Sequence, residues 1–405
     1  MAVIEGLRTG AWMNRDRVMS YALILVVVEV LILIFFVLGT HGKIVELGGP
    51  VTTDFASFYG AGLLAVEGTP ALVYDQTAHL DAIRRVTAPE IDYLLYYYPP
   101  VFLLVCAAFA VFPYLPAFYL FVGVTFAAYA AVGRAILQEK GALGWVLLLA
   151  SPAVYWAAGL GQNSFLTAAA FGAGLLLVDR RPFLAGVLLG LICYKPHFGL
   201  LIPVALAAGG HWRAFMGAAV SVLALIALSM LLFGWQTWHD FLVLFTGATG
   251  SYEHGDVDLA AFITPFGGAR LIGVPVSVAY GIQIACALGA AVVVGWIWRG
   301  KANLAVRAAA LCAAVPVAVH VALMYDMLLG ALAVFWLVRA ARDAGGFMPW
   351  EKTILALVFI APMFSRLVGH LVPLPVGPIA QLALLAVVVA RARLEFARDR
   401  AARAV

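Results

Sequence analysis

Charge is what this sequence has least of: Asp, Glu, Lys and Arg make up 11% of its 405 residues, while 64% are hydrophobic. A soluble domain carries about 25% charged residues, so a water-soluble core is excluded. Cysteine is scarce too. Cys106, Cys193, Cys286 and Cys312 sit singly in apolar stretches with no CxxC spacing, which favours buried apolar fillers over a zinc site or redox pair. No glycine-rich GxGxxG segment is followed by a suitable acid, and no His, Cys or carboxylate spacing suits a metal. The expectation is therefore no cofactor and no metal. No basic stretch suggests nucleic acid. Arg8, Arg15 and Arg17 precede the first apolar run without a small-residue cleavage site, which reads as a retained anchor rather than a signal peptide.

What is there in abundance is hydrophobic length. Residues 18–39 form an almost unbroken apolar run, and about 20 such residues cross the hydrocarbon layer. Similar runs recur to the C-terminus, so the chain reads as an all-α polytopic membrane protein. Short basic connectors at 134–140, 179–181, 213, 299–307, 339–352 and the tail fall on one side if 99–113, bounded by prolines, is a re-entrant or in-plane helix. Twelve spans follow: 18–39, 116–137, 142–159, 164–178, 182–194, 197–210, 214–233, 276–298, 304–320, 325–340, 352–370 and 378–394. All but six of the 25 Lys and Arg residues then face the cytoplasm, as do both termini; Lys43, Arg84, Arg85, Lys195, Arg270 and Arg366 face outward. The whole length, 1–405, reads as one membrane domain. Its 18–210 part carries an outer loop at 40–115, and its 211–405 part an outer loop at 234–275. Loops this long are more often functional than connective, which places any chemistry outside.

Candidate residues gather at those outer turns. Asp54 begins a short apolar helix at 55–66, where it either caps that helix or offers a carboxylate at the membrane surface. Gln162 and Asn163, in a Gly-Leu-Gly-Gln-Asn-Ser turn, can grip sugar hydroxyls, while Asn163 and Ser164 can equally cap the next helix. Lys195, in the turn Tyr194-Lys195-Pro196-His197, either snorkels to headgroups or binds a lipid phosphate. Arg366 and His370 occupy a similar outward end. His320, Tyr325 and Asp326 cluster at another turn, where unpaired ionisable groups are costly and functional by default. Glu29, midway along the first span, reads as structural, with a proton relay as the alternative.

In order, Asp54-Phe55 with Tyr59, Leu72-Val73-Tyr74-Asp75, Tyr98-Pro99-Pro100, Ser151-Pro152, Gly161-Gln162-Asn163, Ala185-Gly186 leading to Tyr194-Lys195-Pro196, and Tyr325-Asp326 resemble the pattern of glycosyltransferase family 87. That family includes polyprenol-phosphate-mannose-dependent mannosyltransferases of the GT-C fold, and the likeness spans about 18–340. It implies a GT-C-like bundle, with 18–210 as the catalytic module and 211–405 as the acceptor side. It implies inverting transfer of mannose or a similar sugar from a polyprenyl-phosphate donor to a lipid or glycan acceptor hydroxyl. Asp54 takes the position of the family's catalytic base. Lys195, Arg366 and His197 are then expected at the donor phosphate, and Tyr59, Tyr98, Gln162, Asn163, His320, Tyr325 and Asp326 at substrate. The setting implied is a bacterial cytoplasmic (inner) membrane, with membrane lipids as partners and the site facing the periplasm or exterior. One departure is plain: many relatives carry a Trp- and His-rich stretch after a Ser-Pro pair, where this chain has Val315-Pro316 through Asp326. The rival class is a multi-pass transporter or lipid flippase using Glu29, His320 and Asp326 as its path, although no internal repeat of the transporter kind is evident.

Overall fold

A computed structural model describes residues 2–41, 44–46, 50, 51, 53–92, 94, 96–247 and 258–403. Lys43 and part of the second outer loop, 248–257, lie outside the described residues. Helices dominate: α1 (Ala2–Thr9), α2 (Arg15–Leu38), α3 (Phe55–Val66), α4 (Gln76–Val86), α5 (Pro100–Ala110), α6 (Tyr114–Leu137), α7 (Ala142–Leu149), α8 (Pro152–Leu160) and α9 (Ser164–Leu177) fill the first half. They are followed by α10 (Pro182–Gly190), α11 (Ile202–Ala208), α12 (Trp212–Gly247), α13 (Pro265–Leu271), α14 (Val276–Arg299), α15 (Leu304–Ala318), α16 (Met327–Asp343), α17 (Glu351–Leu371) and α18 (Val376–Arg403). Among the described residues the strands form a three-stranded antiparallel ribbon, Thr40–His41, Ile44–Glu46 and Pro50–Val51, ahead of α3.

Six helices among the described residues are long and apolar enough to cross a bilayer, seven if the pair α7 and α8, bent by 58°, counts as one. This is fewer than the twelve crossings expected. The reason lies in the breakers: the expected spans 182–194 and 197–210 appear as a nine-residue α10 ending in a 3-10 turn and a seven-residue α11. At 1.5 Å per residue, neither helix covers the roughly 30 Å of hydrocarbon alone. The 99–113 segment forms α5, 11 residues long and entered through Pro99 and Pro100, also too short to span.

Lipid-facing and central helices separate by composition. In α2 only Ala22 and Glu29 are buried, so nearly its whole apolar surface is left for lipid. Every residue of α15 beyond Leu304 is buried, alanine at seven of its 15 positions, which lets neighbouring backbones approach closely. The span containing α16 is 83% buried, making it the bundle's axis, packed on α15, α6 and α9. Close approach recurs between α10 and α12: a Cβ on Gly186 would lie 1.9 Å from the Ala214 carbonyl oxygen. A second core, aromatic rather than aliphatic, caps one end of the bundle. Phe58 packs edge-on to Phe102 at 5.1 Å, and Phe102 stacks on Tyr194 at 5.1 Å, tying α3 and α5 to the end of α10.

Candidate active site

The site is built where α8 and the 3-10 turn after α10 end and where α9 and α16 begin. Helix α8 stops at Gly161, whose φ of +65° is the left-handed conformation glycine adopts without steric cost. The turn closes with the Gln162 N–H donating to the Ala157 carbonyl at 2.9 Å. Space also demands glycine there, because a Cβ would fall 2.6 Å from the Phe55 Cβ and 2.8 Å from the Phe118 ring. The α8–α9 turn therefore seats directly on the residue that follows Asp54.

From that turn two consecutive polar grips reach in different directions. The Gln162 Nε2 donates to the Asp54 Oδ2 at 2.7 Å, and the Gln162 Oε1 accepts the Asn163 N–H at 3.3 Å. Asp54 occupies the N-cap position of α3 yet makes no side-chain cap bond, so its carboxylate is not spent on its own helix. Neither Asn163 nor Ser164 serves as a side-chain cap of α9 either; Ser164 Oγ instead donates to Asp326 Oδ1 at 2.7 Å. The Lys195 ammonium donates to the same oxygen at 2.9 Å, with both side chains 5% exposed. The Leu323 N–H donates to Asp326 Oδ2 at 3.4 Å. Tyr194 and Thr167 share a 2.6 Å hydroxyl contact on the inner wall.

Electrostatics ties these grips into one cluster. Burial pushes the Asp54 carboxyl above its usual range, opposed by the Gln162 hydrogen bond and the Lys195 charge. Burial and then the Asp326 carboxylate raise the Tyr98 hydroxyl well above its usual value. His197 is half-buried two residues past Lys195, in the turn that precedes α11. The Asn163 side chain is fully buried, and neither amide atom completes a hydrogen bond, although it is near enough to Tyr98 to favour ionisation there. Tyr325 puts its ring 5.8 Å from the Lys195 ammonium, and His320 is exposed at the rim.

The structure thus gathers Asp54, Tyr98, Gln162, Asn163, Lys195, His197, His320, Tyr325 and Asp326. Two other candidates are engaged elsewhere. The Tyr59 hydroxyl donates to the Phe112 carbonyl at 2.8 Å, within the aromatic cap. Arg366 donates from Nε to Asp258 Oδ2 at 2.6 Å, beside His370 at 3.0 Å. Burial alone would raise the Asp258 carboxyl, but its bonds to Arg366, the Ala260 N–H and His370 hold it below the usual range. Ser164, read from sequence as a turn hydroxyl or a cap, reaches Asp326 instead; two contributors were not singled out from sequence, Thr167 and the strand-like strap that positions the rim. In that strap Ile263 N–H donates to the Ala322 carbonyl and Thr264 Oγ1 to the His320 carbonyl, each at 3.0 Å. The spacing of Ser164 and Thr167, one turn apart at the start of α9, was the available signal. Among the described residues no group of three His, Cys, Asp or Glu could hold a metal ion.

Comparison with known proteins adds one finding. The sequence model of glycosyltransferase family 87 matches residues 96–324, a stretch that takes in Tyr98, Gln162, Asn163, Lys195, His197 and His320, with Asp54 before it and Asp326 just beyond. No curated protein and no solved structure matches the chain.

Proposed function

The chain belongs to glycosyltransferase family 87, and on that premise we propose that it moves a sugar, mannose or a similar one, from a polyprenyl-phosphate donor to the hydroxyl of a lipid or glycan acceptor. The observation that carries this reading is the Asp54 carboxylate held by Gln162 across the site, with the Lys195 ammonium close enough to bias its ionisation. Asp54 takes the proton of the acceptor hydroxyl as that oxygen attacks the anomeric carbon. The bond from that carbon to the phosphate oxygen breaks on the opposite face, so the configuration inverts. Negative charge grows on the departing phosphate, and Lys195, released from Asp326, meets it. Asn163 supplies a buried amide with donor and acceptor both unspent, suited to a sugar hydroxyl.

Outward facing of the site, cytoplasmic termini and twelve crossings built partly from short helices in series belong to the same proposal. The distribution of basic connectors supports them.

Asp54→Asn is expected to abolish transfer of label from a short-chain polyprenyl-phosphate mannose to acceptors in a native lipid extract, with the protein still folded. Because only the ionised carboxylate can take the proton and burial raises its pKa, wild-type activity should fall on acidification through a pH above the ordinary carboxylate range. Near-normal turnover in the variant would remove Asp54 from the chemistry.

A further inference from the structure

We propose that Gln162 is a positioning residue for Asp54, fixing which carboxylate oxygen faces the acceptor, and not a sugar-contacting group. This rests on the reading of Asp54 as the base. Three observations converge on it. The amide is 5% exposed, so it presents little surface to a ligand. Both of its ends are spent inside the protein: Oε1 accepts the Asn163 N–H, and Nε2 donates to Asp54 Oδ2. The backbone donor at one end sets which end is NH2, since a flipped amide would aim N–H at N–H and oxygen at carboxylate.

The geometry leaves Asp54 Oδ1 with no hydrogen bond from a described residue, and that is the oxygen free to take the acceptor proton. One bond to a neutral donor suits a base, because it orients the group and favours the ionised form without neutralising it. The anchor is rigid. Gln162 hangs from a turn closed on Ala157, in which Gly161 is pressed against Phe55, so the turn that aims the carboxylate abuts the residue that follows it. Neighbouring Asn163, fully buried with its amide unpaired, is left as the amide available to substrate, which divides the adjacent pair into one positioning and one binding side chain.

The test uses the full-length protein with Gln162→Met, which keeps the length and loses the donor, and Gln162→Glu, which keeps the shape and places a second carboxyl against Asp54. Transfer from short-chain polyprenyl-phosphate mannose is followed against pH, with Asp54→Asn alongside. Expected for both Gln162 variants is a fall in kcat on the order of 10- to 100-fold, donor KM within about twofold, and an acidic limb of the kcat/KM profile moved to higher pH, further for Glu than for Met. An unmoved acidic limb overturns the proposal, and a loss confined to donor KM assigns Gln162 to the sugar instead. If Asp54→Asn is inactive while both Gln162 variants behave as wild type, only the positioning role falls; if Asp54→Asn stays active, the reading of the base falls. Should Gln162→Met fail to fold, the pH limb of Gln162→Glu decides alone.

Discussion

At the scale of single residues the decisive interaction is the ion pair of Lys195 and Asp326, 2.9 Å apart with each side chain 5% exposed. A buried pair is weak evidence of stability, because desolvation offsets its attraction, but removing one partner strands the other charge. Asp326→Asn should therefore lower the apparent melting temperature of the detergent-solubilised protein by an amount corresponding to about 3–5 kcal/mol, and Lys195→Met similarly. The double variant Lys195→Met with Asp326→Leu should recover most of that stability and no activity. Recovered transfer in the double variant would show that the pair is only structural. These two residues were legible in sequence as ionisable groups near hydrocarbon, though not as partners 131 positions apart. Gln162 was legible as a polar residue in a turn, but a bond to Asp54 cannot be read from a local motif. Tyr59 and Arg366 show the reverse case. Their residue types fit the chemistry, yet their hydrogen bonds go to Phe112 and Asp258.

At the scale of elements, the turn between α8 and α9 does more than join them. Gly161 combines a φ of +65° with a Cβ position 2.6 Å from Phe55, so Gly161→Ala adds backbone strain of order 1 kcal/mol or more to a clash. Expected is a variant that inserts and folds with a modest loss of stability but loses at least about tenfold in kcat, because the clash pushes Gln162 away from Asp54. Wild-type kcat with the same stability loss would mean that the turn only connects. The apolar runs made the long helices legible, since length and hydropathy are local properties. The short ones are less legible. Pro182, Pro196 and Pro203 sit in stretches apolar enough to read as spans, and whether a proline-broken run crosses depends on what packs around its freed backbone groups. The close fit of Gly186 on Ala214 is likewise a property of two helices and not of either sequence segment.

At the scale of the whole molecule, α9 and α16 show that the bundle has two chemically different ends. Each begins in the polar cluster, at Ser164 and just after Asp326, and each ends among arginines paired to acids. Arg307 meets Asp179 at 2.6 Å just past α9, and Arg342 meets Glu139 at 3.5 Å near the end of α16. The 17 residues of α16 extend about 26 Å, close to the thickness of the hydrocarbon layer, so site and arginines lie near opposite surfaces. The proposed orientation, with arginine-rich connectors cytoplasmic as such connectors tend to be and the site outward, makes a test of these two ends decisive for the proposed donor. The two ends can be addressed separately. Helix α12 starts beside His211, which contacts Arg307 at 2.8 Å, and runs to the bend at Gly234, where φ is +79°. The segment after the bend packs on the aromatic cap through Phe241 and Tyr74, 5.7 Å apart, leaving Gln236 exposed at the site end, while Lys301 is exposed at the arginine end. With the four native cysteines replaced, Gln236→Cys should react with a membrane-impermeant maleimide in intact cells, and Lys301→Cys only after permeabilisation. The inverse pattern would put Asp54 and Lys195 on the cytoplasmic surface, and a donor presented in the outer leaflet could then not reach them.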